Sequence, residues 1–160
     1  MWSAAMNMSV YTDGACRGNP GVGGWGFYIP SENVAIYGGS IVTTNNKMEL
    51  TAIAKALRYV IDNLSDKVKI VSIHTDSAYC LNALTNWIYN WIESGWLNAK
   101  KQPVANQELF QSIIKLRHNL EDLGISLNFV KVKGHSTDVG NNKADALANK
   151  GADYAKGLKR

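Results

Sequence analysis

The order of hydrophobic patterns along the chain is the feature that most constrains its fold. Three short segments with strand-like composition occupy the first 42 residues, and turn-type residues join them. Short connections between consecutive strands predict an antiparallel meander, because a parallel pair needs a long crossover. From Met48 onward, segments with helical spacing alternate with apolar, strand-like segments. This order predicts an α/β fold with a mixed sheet and helices packed on its faces.

The patterns predict a five-stranded sheet flanked by about five helices, with strands 1–3 antiparallel and strands 4 and 5 parallel. Strands are expected over Asn7 to Thr12, Trp25 to Ile29, Val34 to Val42, Val68 to Thr75 and Ile125 to Val132. Helices are expected from Met48 to Leu64, with Asn45 or Asn46 as the cap, and over Ser77 to Leu84, Trp87 to Ser94, Asn106 to Leu120 and Asn141 to Tyr154.

Length and composition predict one domain. With 160 residues and 46% hydrophobic composition, the chain can bury a single core of ordinary size. No repeat, low-complexity tract or composition break marks a linker, so we expect a single domain over residues 1–160. Its core is expected over about residues 7–154, with short loose ends. The formal net charge of +4 fits a partner that carries phosphates, although many basic proteins bind no nucleic acid.

The cysteine content and the apolar runs predict the compartment. Cys16 and Cys80 show neither the spacing of a zinc site nor that of a disulfide framework. No apolar run reaches the length that crosses a bilayer. We therefore expect a cytoplasmic protein that makes no membrane contact. We also expect it to act as a monomer without an obligate protein partner.

Four carboxylates fall at the ends of predicted elements. Asp13 closes the first strand, Asp76 closes the fourth, Glu49 lies in the first turn of the first long helix, and Asp145 lies in the first turns of the last helix. Strand ends and adjacent helix starts gather at one edge of an open α/β sheet, so these side chains could converge. Crowded carboxylates repel one another, and hard divalent cations such as Mg²⁺ or Mn²⁺ offset that repulsion. Two such ions about 4 Å apart can activate a water and stabilise the departing oxygen of a phosphodiester.

Each carboxylate taken alone has an ordinary structural interpretation. Asp13 and Asp76 could be turn or cap residues, while Glu49 and Asp145 could be favourable charges near helix N-termini. The motifs around them decide between the two interpretations. They read T-D-G with a trailing G-N-P-G from Thr12 to Gly21, T-T-N-N-K-M-E-L from Thr43 to Leu50, T-D-S from Thr75 to Ser77, V-K-G-H from Val132 to His135, and N-N-K-A-D-A-L-A from Asn141 to Ala148.

In this order and at these separations, the motifs resemble those of bacterial-type ribonuclease HI over nearly the whole chain. The resemblance implies a ribonuclease H-like fold that hydrolyses the RNA strand of RNA–DNA hybrids, leaving 5′-phosphate and 3′-hydroxyl ends. It implies that Asp13, Glu49, Asp76 and Asp145 ligate two catalytic Mg²⁺ ions, for which Mn²⁺ could substitute. The density of glycine from Gly14 to Gly26 also predicts a backbone that approaches a ligand closely.

The three histidines receive different interpretations. The resemblance implies that His135 assists water activation or product release, and an imidazole in a glycine-rich connection can move a proton near neutral pH. His118 is expected to have no role on its amphipathic helix. His74 is expected to be packed in the core because it alternates into a strand.

Recognition of an RNA–DNA hybrid needs groups that donate and accept hydrogen bonds to the 2′-hydroxyl. Asn19, Asn45 and Asn46 suit that task. The resemblance implies that a set of polar residues holds the hybrid, with Thr44 and Asn19 near a phosphate of the DNA strand, and that a protruding segment also binds the substrate. The polar set is Asn19, Thr44, Asn45, Asn46 and Asn141, and the protruding segment contributes Trp87, Lys100 and Lys101. Trp87 and Trp91 could equally pack against each other on one helix face.

The chain departs from the family pattern at several positions. Relatives usually carry several basic residues in the stretch that holds Ile92 to Leu97, which predicts fewer phosphate contacts and a shallower salt dependence here. Ala78 and Asn142 also differ from the residues common in relatives. A non-catalytic nucleic-acid-binding module and another two-metal nuclease or strand-transfer enzyme are the alternatives. The intact carboxylates argue against the first, and the T-T-N-N and G-N-P-G motifs argue against the second.

Overall fold

Five strands form one mixed sheet in the computed structural model, which describes residues 7–133 and 138–158. In spatial order the sheet runs β3–β2–β1–β4–β5. The strands are β1 (Asn7–Arg17), β2 (Gly21–Ile29), β3 (Val34–Thr43), β4 (Ile70–Thr75) and β5 (Ser126–Lys131). β1, β2 and β3 are antiparallel neighbours, β4 runs parallel to β1, and β5 runs parallel to β4. The predicted mixed sheet is confirmed.

Five α-helices accompany this sheet in the two described ranges. They are α1 (Asn45–Asn63), α2 (Ala78–Asn82), α3 (Ile88–Glu93), α4 (Gln107–Asp122) and α5 (Val139–Leu158). A π-helical turn, Ala83–Trp87, joins α2 to α3, so the two helices predicted there form one continuous helical stretch. None of the helices in these ranges combines the length and the apolarity that crossing a bilayer requires.

The main core lies between α1 and one face of the sheet. The predicted helical positions Ile53, Leu57 and Val60 are fully buried, whereas Ala54 and Ile61 are only partly buried. Each fully buried aliphatic side chain contributes about 1.5–3 kcal/mol relative to its exposed state. The α1 side chains share this core with large residues of the sheet and of α4, namely Val10, Phe27, Ile29, Ile73, Phe110, Ile113 and Leu120.

Helix α5 packs against the opposite face of the sheet, and glycines make that contact possible. A methyl group at Gly26 would lie 2.5 Å from Cβ of Leu147, and one at Gly24 would collide with the backbone of Ala148 and Ala152. The expectation that glycines bring the backbone close to a ligand is therefore wrong for Gly24 and Gly26, because they accommodate a helix. β2 begins at Gly21 rather than at Trp25, because its glycines pair with β1 and β3.

Three element boundaries differ from the predictions and move the acidic residues. β1 continues to Arg17, so Asp13 lies inside the strand opposite Gly26 rather than at its end. α1 begins at Asn45 because Oγ1 of Thr44 accepts a hydrogen bond from the Lys47 N–H at 3.2 Å, which places Glu49 in the second turn.

The start of α5 differs for a similar reason. Oδ1 of Asp138 accepts a hydrogen bond from the Asn141 N–H at 3.0 Å, as an N-cap side chain does, and α5 begins at Val139. Asp145 therefore lies in the second turn. α5 also continues to Leu158, beyond the predicted end at Tyr154.

Candidate metal centre

Three carboxylates converge, from β1, from α1 and from the residue that follows β4. One oxygen atom from each of Asp13, Glu49 and Asp76 lies within 4.8 Å of the other two. The parallel register pairs Tyr11 of β1 with His74 of β4. Asp13 follows Tyr11 by two residues, and Asp76 follows His74 by two residues. We call Asp13, Glu49 and Asp76 the acidic triad.

Gly14 allows Glu49 to reach the other two carboxylates. A methyl group at Gly14 would lie 2.5 Å from the carbonyl carbon of Met48, so no larger residue lets β1 and α1 approach this closely. The Gly14 N–H donates hydrogen bonds to Oδ1 of Asp13, at 2.9 Å, and to Oε1 of Glu49. The T-D-G motif signals this position, although sequence reasoning did not single out Gly14 itself.

Two carboxylates of the triad are buried. Asp13 is 6% exposed and Glu49 is 8% exposed. Oε2 of Glu49 is buried and has no hydrogen-bond partner among the described residues. Burying a carboxylate oxygen without a partner is costly, and a bound cation would remove that cost. The donor set consists of carboxylates, which hard divalent cations prefer. The residues present therefore fit a metal ion.

Burial also changes the acidity of the triad. It raises the pKa of Asp13 to about 7; the hydrogen bond with Glu49 acts against this rise, and the nearby charge of Asp76 adds to it. Burial likewise raises the pKa of Glu49, and the adjacent Asp13 carboxyl raises it further. Without a cation, Asp13 and Glu49 therefore hold their protons more tightly than free carboxyls do, and a metal ion must displace those protons on binding.

Asp145, the fourth predicted ligand, flanks the triad. Its side chain is exposed on α5 and lies within hydrogen-bonding reach of Asp13, whose pKa it helps to raise. It is not one of the three residues whose oxygen atoms lie within 4.8 Å of one another. His135 lies outside the described residues, so its predicted role stays a prediction.

The predicted hybrid-binding residues of the β1–β2 turn and of the α1 start lie together. Oδ1 of Asn19 accepts a hydrogen bond from the Asn45 N–H at 2.9 Å, which ties the turn to the first residue of the helix. Thr44 caps the helix, and the side chains of Asn45 and Asn46 are exposed. Glu49 follows Asn45 by one helical turn on the same face of α1, so this polar surface adjoins the acidic triad.

The protruding segment combines packing with exposure. Trp91 packs against Phe110 with ring centroids 5.1 Å apart and against Trp87 at 6.1 Å. Trp87 is 39% exposed, so its ring is available for contact although it also belongs to this aromatic cluster. Lys100 and Lys101 are exposed in the loop that follows α3.

Two further residues occupy positions that the sequence did not predict. Asn141 is 3% exposed, so its side chain lies inside the protein rather than on a contact surface. His74 is half-buried instead of being part of the core, and its ring stacks on Tyr11 with centroids 4.5 Å apart. Burial lowers the pKa of His74. The pairing of two aromatic rings across parallel strands leaves no signal in the sequence.

Comparison with known proteins finds relatives over nearly the whole chain. The family model described as RNase H matches residues 5–153. A ribonuclease H of Polaromonas naphthalenivorans is 43% identical over 157 residues, which cover 97% of this chain and 92% of the relative. A ribonuclease H of Methylobacillus flagellatus is 42% identical over 154 residues, which cover 94% of each protein.

Solved structures agree at the level of the fold. LC9-RNase H1, a type 1 RNase H with the type 2 active-site motif, aligns with a TM-score of 0.76 at 24% identity, over 97% of this chain and 76% of that protein. LC11-RNase H1, solved in complex with an RNA/DNA hybrid, aligns with a TM-score of 0.68 at 25% identity, over 95% of this chain and 99% of that protein. The sequence matches and the acidic triad lead to one conclusion: the chain belongs to the RNase H family.

Proposed function

We propose that this chain hydrolyses the RNA strand of RNA–DNA hybrids with the help of bound Mg²⁺, leaving 5′-phosphate and 3′-hydroxyl ends. One observation carries the proposal: an acidic triad with two buried carboxylates and an unpartnered Glu49 oxygen, in a member of the RNase H family. Relatives that are 41–43% identical over nearly their whole length are ribonucleases H, and LC11-RNase H1 has been solved with an RNA/DNA hybrid.

In this proposal the acidic triad and Asp145 hold two Mg²⁺ ions, for which Mn²⁺ could substitute. When bound, such ions supply the positive charge that activates a water and stabilises the departing 3′-oxygen. The water oxygen forms a bond to phosphorus as the bond to the 3′-oxygen breaks. The Gly14 N–H orients the carboxyls of Asp13 and Glu49. His135 is proposed to move a proton near neutral pH.

The polar surface formed by Asn19, Thr44, Asn45 and Asn46 is proposed to hold the hybrid. Its exposed amides can donate to and accept from a 2′-hydroxyl, which distinguishes RNA from DNA. Trp87 would add a stacking contact, and Lys100 and Lys101 would contact phosphates. The burial of Asn141 argues against direct contact, so we propose that it supports the site from inside.

The chain is further proposed to act as a cytoplasmic monomer. All four proposed metal ligands lie on one chain, which supports a monomeric enzyme. Cys16 and Cys80 are free thiols, which fits a reducing compartment.

An end-labelled RNA strand annealed to DNA tests the proposed function, alongside an RNA duplex, a DNA duplex and single-stranded RNA. We expect Mg²⁺-dependent cleavage of the hybrid's RNA strand alone, and no cleavage in EDTA. Asp76→Asn should abolish cleavage while hybrid binding persists, whereas Asp66→Asn, at an exposed carboxylate outside the triad, should cleave like the wild type. Hybrid binding without cleavage in Mg²⁺ or Mn²⁺ would instead indicate a non-catalytic binding module.

A further inference from the structure

Three residues from three elements meet beside the acidic triad. The ring of Tyr11 on β1 stacks on the ring of His74 on β4, with centroids 4.5 Å apart and planes inclined by 26°. Gly140, in the first turn of α5, lies against the same tyrosine ring: a methyl group there would lie 2.5 Å from Cδ1 and Cζ of Tyr11. We call Tyr11, His74 and Gly140 the aromatic seat of α5.

Each residue of the aromatic seat is close in sequence to one of the four predicted carboxylate ligands. Tyr11 precedes Asp13 by two residues, His74 precedes Asp76 by two residues, and Gly140 precedes Asp145 by five residues in the same helix. The seat therefore joins β1, β4 and the start of α5 at one end of the site. Any outward shift of the α5 start would carry Asp145 away from Asp13.

Close packing makes this contact sensitive to small changes. Gly140 is buried, and ring carbons of Tyr11 occupy the space that a Cβ atom would need. An added methyl group must therefore displace either the tyrosine ring or the helix, because packed interiors hold few voids. Substitutions on the exposed face of α5 would cause no such steric clash.

We propose that the aromatic seat positions Asp145 relative to the triad and thereby sets the affinity of the site for divalent cations. The inference rests on the proposed function, because it takes the four carboxylates as the metal ligands. Tyr11 and Gly140 are positioning residues in this scheme: they act through the placement of α5. The ring of Tyr11, rather than its hydroxyl, carries the effect, since ring carbons make the contact with Gly140.

A matched control is a glycine of β3 that contacts the C-terminal half of the same helix. A methyl group at Gly39 on β3 would meet the carbonyl oxygen of Gly151 and lie 2.9 Å from Cβ of Ala155. Gly39→Ala therefore also forces α5 away from the sheet, but at Gly151 and Ala155, on the C-terminal side of Asp145 and away from the start of the helix. Comparison of the two alanine variants separates a loss of α5 packing from a displacement of Asp145.

The test measures Mg²⁺ binding by calorimetric titration and stability by urea unfolding for each variant. Gly140→Ala and Tyr11→Leu should bind Mg²⁺ about 10-fold more weakly, the lower end of the effect seen when groups that orient metal ligands are removed. Tyr11→Phe should bind within about twofold of the wild type. Gly39→Ala should lose stability yet keep its Mg²⁺ affinity. Tyr11→Leu serves as the readout if Gly140→Ala does not fold.

Two results would overturn the inference. One is equal Mg²⁺ affinity in the wild type, Tyr11→Leu and folded Gly140→Ala; the other is an equal loss of affinity in Gly39→Ala and Gly140→Ala. Failure of the proposed function appears differently, as a wild-type protein that neither binds Mg²⁺ nor cleaves the hybrid. The wild-type measurement therefore separates the two failures.

Discussion

Replacement of Asp13 by Asn should stabilise the metal-free protein at alkaline pH. The pKa of Asp13 rises from 3.8 to about 7 in the folded state because the carboxyl is buried. Each pKa unit corresponds to about 1.4 kcal/mol, so ionising this carboxyl costs the folded protein up to about 4 kcal/mol. An asparagine carries no charge and can keep the hydrogen bond that the Gly14 N–H donates at 2.9 Å.

The expected gain in the free energy of unfolding is smaller than this upper bound. A buried amide keeps a desolvation cost of about 1–2 kcal/mol, which leaves a net gain of about 2 kcal/mol. In a domain of this size, that gain raises Tm by about 4–8 °C. The sign follows from linkage: a carboxyl whose pKa is raised on folding stabilises the protein fully below the unfolded pKa, and this stability is lost as the pH rises through the folded pKa. The gain of Asp13→Asn should therefore grow from pH 4 to pH 7 and then remain constant.

Urea unfolding in EDTA at pH 4.5 and pH 8.5 measures the effect, with Asp66→Asn as an exposed control. Saturating Mg²⁺ should reverse the order of stability, because a ligand at 100 times its Kd stabilises the native wild type by about 2.7 kcal/mol. The reasoning is refuted if Asp13→Asn is no more stable than the wild type at pH 8.5 in EDTA, or if its gain is equal at both pH values.

Two further outcomes follow from local contacts. Thr44→Ala should cost about 1 kcal/mol in urea unfolding because it removes the α1 cap, while Asn45→Ala should cost less; the reverse order would contradict the cap assignment. Burial raises the pKa of the Cys80 thiol to about 12, so a disulfide reagent at pH 8 should modify Cys80 only after unfolding; rapid modification of Cys80 in the native protein would contradict its burial.

The pattern of hydrophobic residues predicted the elements of this fold because periodicity is a local property. Alternation in β1 and the spacing of Ile53, Leu57 and Val60 in α1 are visible without any knowledge of distant contacts. The boundaries were less predictable. β1 continues to Arg17 because Arg17 still pairs with Val22 of β2. Pairing with a second strand is not visible in the local pattern of β1.

The motifs identified which carboxylates to consider, because each carboxylate stands among residues that are consecutive along the chain. The fold decided how the carboxylates meet: β1 and β4 become parallel neighbours although Tyr11 and its partner His74 are 63 positions apart. It also decided that α5 packs against the β2 glycines, that Asn141 is buried, and that Tyr11 stacks on His74 beside Gly140. The physical reason is that close packing and burial depend on atoms brought together from distant parts of the chain, and local periodicity carries no record of them.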